Sequence, residues 1–206
     1  HKIEIVNSTD KVKREKYVKH LYKKLQREGQ LERDVDRLVR NDRIAWGSSM
    51  IACKDADAMV TGNIRHYAAS IEKLKKVVES RPGEEIFGMT MINSKGKTIL
   101  VADTNVQDFP SAQRLVNVSK SCVRVARLFG FDPKVAFLSH STFGNPISKN
   151  TKHVRDAIEI LKKENVDFDF DGEMQPDVAL NPIYQETYPF SKIVGNANIL
   201  IMPALH

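Results

Sequence analysis

Hydrophobic residues recur at two periods along the chain, one helical and one strand-like, and the switch between them predicts its elements. Ile3 to Val6 is a short apolar run, followed by Asn7-Ser8-Thr9-Asp10, residues suited to capping a helix N-terminus. A helix is predicted from about Lys11 to Glu28, closed by Gly29. Leu31 to Val39, apolar at 31, 35, 38 and 39, predicts a second helix, and RIAWGSSMIACK from Arg43 to Lys54 a third. Gly47, Ser48 and Ser49 give the third helix a small-residue face for close packing. Ala58 to Thr61 is a candidate buried strand ending at Gly62. Ile64 to Ser80 reads as a helix with Ile71, Leu74, Val77 and Val78 on one stripe, stopped by Pro82-Gly83.

Beyond this point the period shortens. Ile86 to Ile92 and Thr98 to Ala102 are β-rich runs joined by the hairpin-type turn Asn93-Ser94-Lys95-Gly96. Ser111 to Phe129 predicts a long helix capped by Gly130, and Val135 to Leu138 a strand. The loop Ser139 to Pro146 leads into a helix from about Asn150 to Glu164, then a strand over Val166 to Phe170. A short helix and a last strand, Ala197 to Met202, complete the pattern. Helices alternating with short apolar strands predict an α/β fold, a largely parallel sheet flanked by helices. The expected division is a partial first subdomain over 1–84, helices plus the 58–61 strand, and a second α/β subdomain over 85–206. The chain stops at MPALH, just after a buried strand, where a covering helix normally follows, so a fold truncated at this end is expected.

Composition narrows the class. A chain of 206 residues, 41% hydrophobic, has ample material for one large or two small cores. No apolar run approaches the roughly 20 residues of a membrane span, and HKIEIVNSTD shows no secretory leader, so a cytoplasmic location is expected. The two cysteines, Cys53 and Cys122, lack metal-type spacing and read as small core residues in a reducing compartment. The formal charge of +6 comes largely from KVKREKYVKHLYKKLQRE, where basic residues alternate with Val, Tyr and Leu at helical spacing. That is a solvated helix face, and no nucleic-acid partner is expected. The histidines form neither HxxxH nor HExxH, so no metal site is expected. GxGxxG and GxxxxGK[ST] are both missing, which leaves no glycine loop for a nucleotide.

Candidate chemistry gathers at three strand ends: Asp57 to Gly62, Val101 to Thr104, and Ser139 to Pro146. In open parallel sheets ligands bind beyond the carboxyl ends of strands. The third loop also precedes a helix start, where free N–H groups and the dipole favour an anion. Its hydroxyls fit either an anion site or ordinary capping of local backbone groups. Asp171, Glu173 and Asp177 follow a strand; they fit acid/base work, or capping of the helix begun by Pro176, with Asp177 alternatively a buried hydrogen-bonding group.

Six segments, in order, carry a resemblance. ADAMVTG at 56–62, RPG at 81–83, LVADTNV at 100–106, VAFLSHSTFGNP at 135–146, DFDGEMQPDVALN at 169–181 and YPFSKIVGNANILIMPALH at 188–206 resemble the phosphate acetyltransferase/butyryltransferase (phosphotransacetylase) family. STFGNP with DGEMQPDVALN is most similar to the C-terminal domain of hybrid bacterial NADP-dependent malic enzymes. The resemblance implies a two-part, phosphotransacetylase-like α/β structure with an acyl-CoA and phosphate cleft between the parts. It implies that Ser139, Ser141, Thr142, Gly144 and Asn145 face that cleft, with Asp171, Glu173 and Asp177 of the DGEM region. From the first part it implies Arg40 or Arg43, Thr61 and Arg65. In the malic enzyme branch it implies acetyl-CoA as an effector, no catalytic residues and no cofactor in this stretch, and self-association. There a covalently linked malic enzyme part would use NADP and a divalent metal. The alternative is a stand-alone phosphate acetyl- or butyryltransferase. Two departures weigh against transfer. An arginine of the family pattern falls at Glu72, where a carboxylate about 4 Å from phosphate would cost several kcal/mol at an effective dielectric near 20. The family's SRG-type loop, and its first strand and helix, are expected to lie outside this stretch.

Overall fold

The computed structural model describes residues 3–80, 84–104 and 109–203. It separates into an N-terminal unit, residues 1–79, and a C-terminal unit, residues 80–206, ahead of the division expected at 84/85. The Pro82-Gly83 helix stop, the RPG segment, the end of LVADTNV and the terminal Ala204-Leu205-His206 lie outside the described residues.

In the N-terminal unit, helix α1 runs over Lys11–Leu25, its first turn capped by Asp10, whose side chain accepts from the Lys13 amide at 3.1 Å. A 3₁₀ turn over Gln26–Glu28 follows, and Gly29 ends it at φ +80°, a conformation that favours glycine. The expected lysine-rich helix thus buries Tyr17, Val18, Leu21 and Leu25 on one stripe. Helices α2 (Glu32–Asn41), α3 (Arg43–Ala52) and α4 (Tyr67–Val77) complete the unit. Val35, Val39, Ala45, Trp46 and Val77 join the α1 stripe in one core, with the Trp46 ring edge-on to Tyr17 at 5.0 Å. The Tyr17 hydroxyl donates to Asp55 at 2.8 Å; burial, then this hydrogen bond and the Asp55 charge, raise its pKa. The expected strand at 58–61 is absent. Among the described residues this unit holds no strand for it to pair with, and Val60 is fully exposed. The stretch instead crosses α3 at Gly47, where an added Cβ would sit 2.5 Å from the Met59 sulfur. The fourth helix starts at Tyr67, later than expected, because the chain turns at Gly62 and Asn63, both with positive φ.

The C-terminal unit is a five-stranded sheet in the order β1-β2-β5-β3-β4. Strands β1 (Met89–Ser94) and β2 (Lys97–Ala102) form the expected antiparallel hairpin, turning at Lys95-Gly96 with positive φ at both. The remaining pairs, β2 with β5 (Ile199–Ile201), β5 with β3 (Lys134–Leu138) and β3 with β4 (Asp169–Met174), are parallel. The sheet is therefore largely parallel. Alternation along β3 sends Val135 and Phe137 to one core, with helices α5 (Ala112–Leu128) and α6 (Lys152–Glu164), and Ala136 and Leu138 to the other. The second core packs against α7 (Pro176–Leu180), with α8 (Pro182–Gln185) following it. Each fully buried side chain of this kind contributes roughly 1.5–3 kcal/mol. One expectation shifts: the strand predicted over Val166 to Phe170 begins at Asp169 and runs through DGEM. Asn165, left-handed at φ +48°, ends α6 and delays the strand. The polar residues of DGEM enter the sheet because each buried carboxylate has partners there.

Candidate functional site

In the N-terminal unit a cavity of about 660 Å³ is lined by Arg43, Gly47, Thr61, Gly62, Arg65 and Ser70, among others. It brings together three residues named from the sequence, Arg43, Thr61 and Arg65. Arg43, on the first turn of α3, is exposed and makes no ion pair among the described residues. Arg40 sits exposed in the last turn of α2 and does not line this cavity. Glu72 does not line it either; it is exposed on α4 and pairs with Lys76 at 3.1 Å. The position expected to repel phosphate therefore lies off this cavity's wall.

Behind Arg65 stands Asp42, which sequence reading passed over. Its carboxylate caps α3, accepting from the Ile44 amide at 2.9 Å and the Ala45 amide at 3.2 Å. It also accepts from Arg65 Nη1 at 2.5 Å and pairs closely with Lys73 Nζ. Burial pushes its pKa upward, but Lys73, Arg65 and the two amides outweigh burial and bring it down to about 2, from 3.8. A carboxyl with a depressed folded pKa stabilises the fold above its unfolded value and loses that stability as pH falls through the folded value. Arg65 and Lys73 are each more than a third exposed, so the contribution is about 1–2 kcal/mol. Urea unfolding of the wild type should lose that amount between about pH 4 and about pH 2, and Asp42→Asn should flatten this part of the profile. An equal acid slope in the variant would show that Asp42 is not its source.

In the C-terminal unit the loop Ser139 to Pro146 leaves the carboxyl end of β3 and is fixed to β4. Glu173, on β4 and 1% exposed, accepts from Ser141 Oγ at 2.7 Å and from Arg155 Nη1 at 3.0 and 3.2 Å. The Arg155 guanidinium also donates to Thr151 Oγ1 at 2.6 Å and to the Ser148 carbonyl at 3.0 Å. Ser139 Oγ lies 3.2 Å from Ser141 Oγ, and Thr142 Oγ1 accepts from the Gln175 amide at 3.2 Å. The Phe143 amide donates to the Glu173 carbonyl at 2.7 Å, and Phe143 and Gly144 turn the loop with positive φ. Ser139, Ser141 and Thr142 are thus buried and hydrogen-bonded within the frame, while Asn145 is exposed at the tip.

Asp171 is buried inside β4, accepting from the Lys192 amide at 2.7 Å, so neither it nor Glu173 sits in a loop after a strand. Asp177 is exposed on the first turn of α7 and accepts from the Val178 amide at 2.9 Å, so it is not a buried group. The N-cap of α7 is Gln175, without a side-chain capping bond. Beside the loop, the Phe143, Tyr188 and Phe190 rings pack together, Phe143 lying 5.3 Å from Tyr188 and 4.9 Å from Phe190. A second cavity, about 860 Å³, is lined by Ser139, His140, Lys149, Asn150 and His153 among others. Among the described residues no group of three His, Cys, Asp or Glu side chains could hold a metal, and no helix is long and apolar enough to cross a membrane.

Sequence reading missed Asp42 and Arg155. Asp42 carried a signal, standing directly before the apolar pattern of α3 as caps do. Arg155 carried none, because its carboxylate partner Glu173 comes from a separate element, β4.

The largely parallel five-stranded sheet, flanked by helices and carrying a polar loop beyond the carboxyl end of β3, defines an α/β domain. The pattern of the family described as phosphate acetyl/butaryl transferase matches residues 1–206, and the chain belongs to that family. The NADP-dependent malic enzyme of Rhizobium meliloti (strain 1021) is 42% identical over 99% of the chain, which spans 27% of that protein. The phosphate acetyltransferase of Bacillus subtilis (strain 168) is 28% identical over 87% of the chain, which spans 56% of it. A phosphotransacetylase from Streptococcus pyogenes superposes with a TM-score of 0.79 at 28% identity, over 92% of this chain and 59% of that one.

Proposed function

We propose that this chain is the acyl-CoA-binding regulatory domain of an NADP-dependent malic enzyme, binding acetyl-CoA without transferring its acyl group. The observation that carries the reading is the identity contrast: 42% to a malic enzyme over 99% of the chain, against 28% to a stand-alone acetyltransferase. Two features support it. Arg43 and Arg65 offer cations to the phosphates of a CoA tail inside one cavity. The position where the family resemblance implies an arginine holds Glu72, already occupied by Lys76, so one cation of the transfer pattern is missing. In the longer polypeptide, NADP and a divalent metal would serve the malate-oxidising part, and acetyl-CoA would lower its rate by binding two states of the enzyme unequally.

Calorimetric titration of the chain with acetyl-CoA, beside an assay for acetyl phosphate formed from acetyl-CoA and phosphate, tests the reading. Saturable binding with no acetyl phosphate is expected. Acetyl phosphate formation would instead establish the second reading, a phosphate acyltransferase, which the likeness to the Streptococcus pyogenes phosphotransacetylase favours.

A further inference from the structure

We propose that Asp42 is the counter-ion that sets how much anionic charge the Arg43–Arg65 cavity accepts. This rests on reading that cavity as a seat for the phosphates of an acyl-CoA. Asp42 does not line the cavity. It stands behind the wall, buried, with one carboxylate oxygen on the α3 amides and the other on Arg65 and Lys73. Arg65 therefore presents a guanidinium with one nitrogen held from behind and the rest of its fork free for a ligand oxygen. Lys73 lies on the other side and, with Asp42, lines a separate cavity of about 470 Å³.

The carboxylate is thus divided between two cations, and the share that each takes determines how much positive charge the first cavity shows. Arg65 and Lys73 share one carboxylate, while Arg43 lines the first cavity and makes no ion pair among the described residues. A phosphate-bearing ligand entering beside Arg65 competes with Asp42 for the same guanidinium. Asparagine at position 42 keeps an oxygen for the Ile44 and Ala45 amides and so keeps the helix cap, but withdraws the negative charge. Methionine at position 73 does the reverse, leaving the whole carboxylate to Arg65.

The experiment titrates the full chain and its variants with inorganic phosphate, inorganic pyrophosphate and acetyl-CoA, with thermal unfolding as a check on folding. Asp42→Asn should tighten pyrophosphate binding roughly five- to tenfold, and phosphate binding less, because the attraction of the released Arg65 guanidinium grows with the ligand's charge. The gain should shrink at about 1 M salt and vanish in the double variant Asp42→Asn/Arg65→Met. Lys73→Met should weaken pyrophosphate binding. An unchanged or weaker pyrophosphate affinity in Asp42→Asn, a gain that survives loss of Arg65, or no pyrophosphate binding to any form would overturn the proposal. If Asp42→Asn fails to fold, Lys73→Met decides alone: weaker binding supports the counter-ion role and unchanged binding refutes it. Should acetyl-CoA fail to bind the wild type while Asp42→Asn still tightens pyrophosphate, the acyl-CoA reading falls and the role of Asp42 stands. Acetyl-CoA binding that is indifferent to both variants, with pyrophosphate equally indifferent, has the opposite meaning.

Discussion

Replacing Arg114 by methionine will cost the C-terminal unit about 4 kcal/mol of stability, read as a lower urea midpoint. The Arg114 side chain is 9% exposed and lies against β2. Its guanidinium donates to Asp103 at 2.9 Å and to the Ile86 carbonyl at 2.7 Å, and pairs closely with Glu85. Asp103, whose side chain is 4% exposed, would keep the Gly88 amide at 2.7 Å and lose its countercharge. Methionine fills much of the same volume, so the loss is the uncompensated carboxylate and the unpaired Ile86 carbonyl, not a cavity. The double variant Arg114→Met/Asp103→Asn should recover about half of the loss, since the penalty belongs to the pair. A cost under about 1 kcal/mol for Arg114→Met would mean that water reaches Asp103.

Arg155→Met should cost about 3 kcal/mol, somewhat less because Arg155 is 37% exposed and its partner alone is fully buried. Glu173 would be left with Ser141 Oγ as its side-chain partner, and the Ser148 carbonyl and Thr151 hydroxyl would lose the guanidinium. The two groups sit on α6 and on β4, so the substitution also loosens what holds the Ser139 to Pro146 loop. Urea unfolding of Arg155→Met, Glu173→Gln and the double variant gives the coupling directly: a double variant no worse than Arg155→Met is expected, and strict additivity would refute the coupling.

Much of the fold was legible because hydrophobic spacing is a local signal. The stripe Tyr17, Leu21, Leu25 and the alternation Val135 to Leu138 are written within a few residues of each other, and both elements form where the pattern puts them. The strand expected at 58–61 failed for the opposite reason: four apolar-leaning residues make a strand only if another strand lies beside them, and position in the fold is not encoded at that range. DGEM failed similarly. Acidic residues look like loop until Arg155, Ser141 and the Lys192 amide come from elsewhere to satisfy them. At the candidate site, Arg43, Thr61 and Arg65 were legible as residues and do share one cavity. What could not be read was how the polar groups are already committed: the hydroxyls at 139, 141 and 142 to the frame, and Arg65 to Asp42. Those commitments are long-range contacts, and they determine what a ligand would find.

Trp46 is the chain's single tryptophan, buried in the N-terminal unit against Tyr17. Its emission is consequently a private optical channel for residues 1–79, while far-ultraviolet dichroism sums the helices and strands of both units. Recorded together during one denaturation, the two signals separate the opening of one unit from that of the other without any label, and a ligand that steadies the Arg43 cavity would announce itself in the fluorescence trace.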